Sequence, residues 1–319
     1  MASPRYGITI PFDGITLAEH RSWYSELADL GYTDVWSAEV DGTDGFTPLA
    51  LAAAWEPRLQ LGVAVTPAFT RGPALLAQSV AAMAEAAPGR FTFGLGASSE
   101  PVVERWNGIP YERPFQRTRD VLRFMRQAFT GEKVTFESES FTIKGYKMAR
   151  PPAAPPSILL GALRPGMLRL AGEEADGAIL NWLASTDVPT CVKEVGADKQ
   201  IAARIFVIPI EDADTARAIG RRMIAAYLNV EAYAEFHRWL GRGDQLGDMW
   251  AAWAAGDRKK ALEVIPDAVT DALVLHGSFG SCREQVLAYV EAGVTIPAIA
   301  IIPFGVDLGD AVRGLAPAS

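Results

Sequence analysis

The chain has 319 residues, 49% of them hydrophobic and 21% charged, with a formal net charge of −8. That is apolar material enough for a sizeable core, and the charges are too interspersed for a disordered chain. An acidic protein offers no field to draw in a phosphate backbone, so nucleic acid is not an expected partner. No apolar run reaches the roughly 18 residues of a membrane span. Met1-Ala2-Ser3-Pro4-Arg5 runs straight into a strand pattern, without a basic-then-apolar leader. With Cys191 and Cys282 as the only cysteines, a cytoplasmic protein with reduced thiols is expected.

Strand and helix signals alternate nearly throughout, with no linker to divide them, which predicts one α/β domain. Residues 6–11 form the first strand. Thr16 and Glu19 make a capping-box pair ahead of a helix closed by Gly31. The second strand is 34–37, and Thr47-Pro48 opens a helix to Trp55. A third strand spans 59–66, followed by a helix from Gly72-Pro73 to Ala87. A fourth spans 91–95, and its helix covers 114–130 after a long loop. A small hairpin, 134–143, precedes the fifth strand at 157–160, whose helix begins at Pro165. The sixth strand is 177–180 and the seventh 203–208. Residues 212–265 read as a helical insertion rich in aromatics, between strands seven and eight. Ser281 and Glu284 make a second capping box, and 296–302 is the eighth strand.

The strands are short and apolar, as when both faces are covered. The pattern fits a (β/α)8 TIM barrel, with a doubly wound open sheet as the competing architecture. In a barrel, chemistry gathers where strands end and βα loops begin. Those ends are Phe12-Asp13, Glu39-Val40-Asp41, Thr66-Pro67, Gly96-Ala97-Ser98-Ser99, Gly161-Ala162-Leu163-Arg164, Asn181-Trp182, Pro209 and Pro303-Phe304. None carries a histidine or cysteine. His20, His237 and His276 show no metal-ligand spacing, and there is no Gly-x-Ser-x-Gly elbow or phosphate loop. A hydride-transfer enzyme needs none of these, because its cofactor brings the reactive atom.

Two turns hold more information. Gly94-Leu95-Gly96-Ala97-Ser98-Ser99 has the start of a dinucleotide-binding turn but lacks its third glycine and following acid, so a plain tight turn competes. The turn from Gly161 to Arg164 enters a helix at Pro165. Free backbone N–H groups and Arg164 there suit an anion, although an exposed arginine in an ordinary loop reads equally well.

Several stretches, taken in order, resemble the luciferase-like superfamily, most closely its F420-dependent actinobacterial branch. They run from Gly31 to Glu39, from Leu61 to Pro67, from Thr70 to Pro73, from Pro88 to Phe91 and on to Gly94-Leu95-Gly96, from Leu170 to Gly177, and from Ala292 to Thr295. The resemblance implies a luciferase-like barrel, a flavin-class cofactor, coenzyme F420 with FMN as the alternative, a small-molecule substrate and a homodimer. It implies a non-prolyl cis peptide at Ala64-Val65, with Thr66 beside it, backing the cofactor ring. Gly96, Ala97 and Ser98 would lie along the cofactor, and Gly161, Ala162, Leu163 and Arg164 would hold its phosphate. Glu39 would bond the ring or its hydroxylated tail.

Glu39, Ser98 and Ser99 are the candidate proton carriers, and Phe12, Trp106, Asn181 and Trp182 the candidate substrate contacts. Some F420 enzymes have a histidine after the acid and a glutamate after the fourth strand. Here Val40 and Ser99 stand in those places, which disfavours a sugar-phosphate dehydrogenase of that kind. Leu163-Arg164 also makes the phosphate turn poorer in glycine than usual. Hydride transfer between F420 and a small organic substrate is the reading that follows. An FMN-dependent monooxygenase, a barrel glycosidase using Glu39 and Glu100, and a non-catalytic flavin binder are the alternatives.

Overall fold

The apolar segments pair side by side in parallel and close on themselves. In the computed structural model, which describes residues 5–317, the strands are β1 (Gly7–Thr9), β2 (Asp34–Ser37), β3 (Gln60–Val63), β4 (Thr66–Pro67), β5 (Phe91–Gly96), β6 (Val134–Glu137), β7 (Thr142–Tyr146), β8 (Ser157–Gly161), β9 (Gly177–Asn181), β10 (Gln200–Ile208), β11 (Val274–His276) and β12 (Ile296–Ile301). β1, β2, β3, β5, β8, β9, β10 and β12 follow one another in a ring, and β12 shuts it by pairing with both β10 and β1. The result is an eight-stranded TIM barrel, and the open sheet is discarded. Residues Met1 to Pro4, which carried the reading of the N-terminus, lie outside the described residues.

The barrel helices are α1 (His20–Asp29), α2 (Thr47–Trp55), α3 (Pro73–Ala86), α4 (Pro114–Ala128), α5 (Pro165–Glu174) and α6 (Val188–Val195). After β10 come α7 (Ala213–Leu228), α8 (Glu231–Trp239), α9 (Gly243–Ala254), α10 (Arg258–Glu263) and α11 (Asp267–Leu273), then α12 (Phe279–Glu291) and α13 (Leu308–Gly314). The helices after β10 bury a second apolar cluster that includes Ile224, Leu228, Leu246 and Met249, and it reaches Trp182 and Phe206 at the barrel's end. Inside the barrel, Trp36, Leu159, Ile179, Ala202, Ile296 and Ala298 fill the lumen. Trp36 lies against Gly62, where a Cβ would come within 2.4 Å of its ring.

The structure corrects three local expectations. The third strand is broken into β3 and β4, because the chain kinks between them at Ala64 and Val65. The second capping box is displaced: Ser278, not Ser281, caps α12, accepting a hydrogen bond from the Ser281 N–H at 3.3 Å. Thr47 is already helical, and the Asp44 carboxylate accepts from the N–H groups of Phe46 and Thr47. A ninth parallel strand, β11, was not expected. β12 holds one edge of β10 and β9 the other. β11 takes over that second edge at residues 206–208, beyond the point where β9 turns away. Cys191 and Cys282 are buried and free. No helix of the described residues is long and apolar enough to cross a membrane.

Candidate functional site

The strand order puts the C-terminal ends of β1, β2, β4, β5, β8, β9 and β10 around one mouth. A cavity there, barely the size of one water molecule, is lined by Thr9, Trp36, Ser37, Ala64, Ile179 and Arg204. The filled lumen therefore forms a floor on which a ligand must sit. A roomier cavity near Arg5, Gln60, Phe91, Ser157 and Gln200 opens at the strand starts, the end that barrels use for stability.

Phe12 does not face the mouth. His20 fastens its loop: Nε2 accepts from the Phe12 N–H at 2.9 Å, and Nδ1 lies 2.8 Å from the Thr16 carbonyl oxygen. The Phe12 ring packs between His20 and Trp23, so the first strand's end is core. The carboxylate of Glu39 is fully engaged. Oε2 accepts from the Gly45 N–H at 3.0 Å, while Oε1 pairs with Arg71 and lies 3.3 Å from the Thr70 hydroxyl. Arg71 in turn stands over the Phe46 ring. This pair ties the loop after β2 to the loop after β4. Glu100 is paired too, with Arg105 at 3.0 Å, so both carboxylates named for a glycosidase are engaged.

Beyond β3 the Ala64–Val65 bond is cis, where the resemblance implies it. Both residues are half-buried, and Thr66 behind them is buried with its hydroxyl unpartnered. Val65 fills the angle between β5 and β8. A Cβ on Gly96 would lie 2.3 Å from Val65 Cγ2, and one on Gly161 would lie 3.1 Å from Cγ1. The two glycines let three strands meet and leave a smooth backbone shelf. Ala97 and Ser98 continue it. Ser98 has φ 62°, a left-handed conformation that is rare outside glycine and clusters at functional sites. Its carbonyl accepts from the Tyr111 hydroxyl at 3.0 Å. The Ser98 and Ser99 side chains make no hydrogen bond among the described residues. Past them, a π-helical turn from Pro101 to Trp106 leaves Trp106 57% exposed, standing away from the lumen.

At the fifth strand's end, Ala162 is buried with its N–H bonded to the Ile179 carbonyl, and Leu163 is half-buried. Arg164 is exposed, forms no ion pair among the described residues, and stands at the N-terminus of α5. Asn181 donates from Nδ2 to the Tyr233 hydroxyl at 3.1 Å. Trp182, also left-handed at φ 55°, is buried with its ring stacked on Phe206 at 4.2 Å and tilted on Tyr227 at 5.2 Å. The helices after β10 thus wall one side of the mouth.

The pattern reading missed Arg204 and Arg71, and took Tyr233 only as one aromatic of the insertion set over the substrate. Arg204 had a visible signal: it is the one charge inside the apolar run of β10. Arg71 lay in a quoted stretch without a role. Tyr233 carried none, since only the fold brings α8 over β9.

Residues 3–295 match the luciferase-like monooxygenase family, and the chain belongs to that family of enzymes. It is 27% identical over 317 residues to a 5,10-methylenetetrahydromethanopterin reductase of Methanolobus tindarius, spanning 95% of each chain. Among solved structures, the coenzyme F420-dependent tetrahydromethanopterin reductase of Methanopyrus kandleri superposes with a TM-score of 0.80 at 19% identity, covering 99% of this chain and 98% of that one. The oxygenating constituent of 3,6-diketocamphane monooxygenase from Pseudomonas putida, solved with FMN, superposes with a TM-score of 0.63 at 17% identity, covering 98% and 97%. At those identities the superpositions bear on the fold alone.

Proposed function

We propose that this protein is an oxidoreductase that moves a hydride between coenzyme F420 and a small organic substrate. The observation that carries the reading is the shelf where Val65 meets Gly96 and Gly161, smooth, half-open and at the catalytic end of the barrel. A flat tricyclic ring fits such a surface. Ser98 and Ala97 would border it, and the Glu39–Arg71 pair would hold the loops on its other side. Arg164, exposed at the start of α5 with no ion pair among the described residues, fits the phosphate of the tail, with charge-assisted hydrogen bonds added to the helix end. The 27% identity over 308 residues to a mycobacterial protein named for coenzyme F420-dependent oxidoreduction supports this choice.

Bound F420 would supply the carbon that gives or takes the hydride. The chain's own part is to fix the two partners face to face, since removing orientational freedom accounts for much of such a rate. Asn181, Trp182 and Tyr233 would flank the substrate above the shelf. Glu39 is committed to Arg71 and Gly45, so it acts as a loop fastener. The free hydroxyls of Ser98 and Ser99 are left as the proton carriers.

Absorbance and fluorescence titration of the purified chain with F420 and with FMN tests the reading. Micromolar binding of F420, with FMN at least 10-fold weaker, is the expected result. Preference for FMN would instead support an FMN-dependent monooxygenase, the alternative within the same family. Binding of neither would end both.

A further inference from the structure

Arg204 sits in the middle of β10, level with Asn181 of β9 and Ala298 of β12. Its side chain turns into the mouth, where it shares a cavity with Ala64 of the shelf, Thr9, Ser37 and Ile179. The guanidinium carries five donors and a permanent charge. Among the described residues it makes no hydrogen bond and no ion pair, and Nε is both buried and unpartnered. The Phe206 ring lies beneath it, 5.0 Å from the guanidinium carbon, and Phe206 stacks on Trp182. Burial disfavours its charged form; Tyr227, Tyr233 and Asp13 act on it only from a distance. Asp13 is on the exposed loop after β1.

Arg204 is half-buried, and a guanidinium whose Nε is buried with nothing to donate to is unfavourable, since natural interiors pair such groups. Two other arginines near this end have a carboxylate beside them: Arg71 pairs with Glu39, and Arg242 with Asp187 at 2.8 Å. Beside Arg204 no acceptor stands among the described residues, and the small cavity it lines is shared with Ala64 of the shelf. The Asn181 Oδ1, also buried and unpartnered, lies on the neighbouring strand in register with it.

We infer that Arg204 is the anchor for a carboxylate on the substrate, so that the enzyme acts on organic acids. A single guanidinium facing a small space matches one planar monoanion, bound through two parallel hydrogen bonds. A phosphate would call for more donors, and Arg164 offers one at a different strand end. The aromatic rings of Phe206 and Trp182 beside it suit the organic part of the acid. This inference rests on the proposed F420 chemistry only in calling the bound acid a substrate; the anion subsite itself does not require it.

The test is binding to the full-length protein, with and without F420. The probes are acetate, pyruvate and benzoate, each set against a neutral counterpart of similar shape, acetamide, pyruvamide or benzamide. Calorimetric titration of wild type is expected to show at least one acid bound 10-fold or more tighter than its counterpart. In Arg204→Met that preference falls to within 2-fold, and in Arg204→Lys part of it returns. F420 affinity of Arg204→Met stays within 3-fold of wild type, which also shows that the variant is folded. If no acid outbinds its counterpart in wild type, or Arg204→Met keeps the preference, the inference is wrong. If Arg204→Met instead loses F420 binding 10-fold while circular dichroism shows it folded, Arg204 serves the cofactor and the inference is again wrong. Failure of wild type to bind F420, with the acid preference intact, would sink the hydride-transfer reading and leave the anion subsite standing.

Discussion

Val65 rests on the bare Cα of Gly96, so closely that a Cβ there would come within 2.3 Å of Val65 Cγ2. The contact explains why a barrel strand ends in glycine just where the mouth opens. Val is stiff at χ1, so the added methyl in Gly96→Ala must be met by movement of the shelf. A loss of about 1–3 kcal/mol follows from overpacking of this kind, with F420 affinity lowered at least 10-fold. Removing the branch in Gly96→Ala/Val65→Ala should recover most of the stability. Urea titration of the four-member cycle checks this; additive losses would show that the two residues do not meet.

Glu39 and Arg71 join two loops that enter the mouth from different strands. Glu39→Gln keeps the shape but weakens the pair, and F420 binding should fall about 3- to 10-fold. Arg71→Met should do the same. Because each change breaks one shared contact, the double variant is expected to be little worse than either single one. Titration of all three by fluorescence decides it. A loss of turnover in Glu39→Gln with unchanged cofactor affinity would return Glu39 to the role of proton carrier.

Arg164 stands exposed at the start of α5, with no ion pair among the described residues. Its replacement by alanine should weaken F420 binding about 10-fold at low salt, and the difference should shrink as salt is raised, because an exposed charge is screened. The measurement is the dissociation constant at two ionic strengths. An unchanged constant at low salt would remove Arg164 from the phosphate site.

His237 is buried in α8 with its pKa pushed down to about 4, first by burial and then by the guanidinium of Arg242, which is itself paired with Asp187. The unfolded chain takes up this proton near pH 6.5, while the folded chain resists until about pH 4. Stability is therefore lost as pH falls below 6.5, by about 2 kcal/mol at pH 5 relative to pH 7. Urea midpoints between those two values should drop less in His237→Gln than in wild type. Parallel curves would show that His237 titrates normally.

Much of the barrel was legible because its information is local. Short apolar runs such as Ile158 to Leu160 and Ile299 to Ile301, punctuated by Pro73, Pro114 and Pro165 at helix starts, mark strands and helices by period and by proline's place in the first turn. The strand ends were legible for the same reason, which is how Gly96, Gly161 and Arg164 came to be placed at them. Capping at Ser278 and the extra strand β11 were misjudged. Ser281 has the same side-chain chemistry as the true cap, and a three-residue strand has no period to read.

By itself, then, the sequence determined the order of elements, the end of the barrel where ligands gather and, through its ordered motifs, the family. Which side chains meet was decided only by closure of the ring. Closure brings Val65 onto Gly96 across two strands, joins Glu39 to Arg71 32 residues away, and carries α8 back over β9 so that Tyr233 reaches Asn181 52 residues away. It also turns Arg204 into the mouth, where its Nε finds no partner among the described residues. Hydrogen bonds and packing act over a few ångströms, and no periodicity along the chain records which distant residues end within that range.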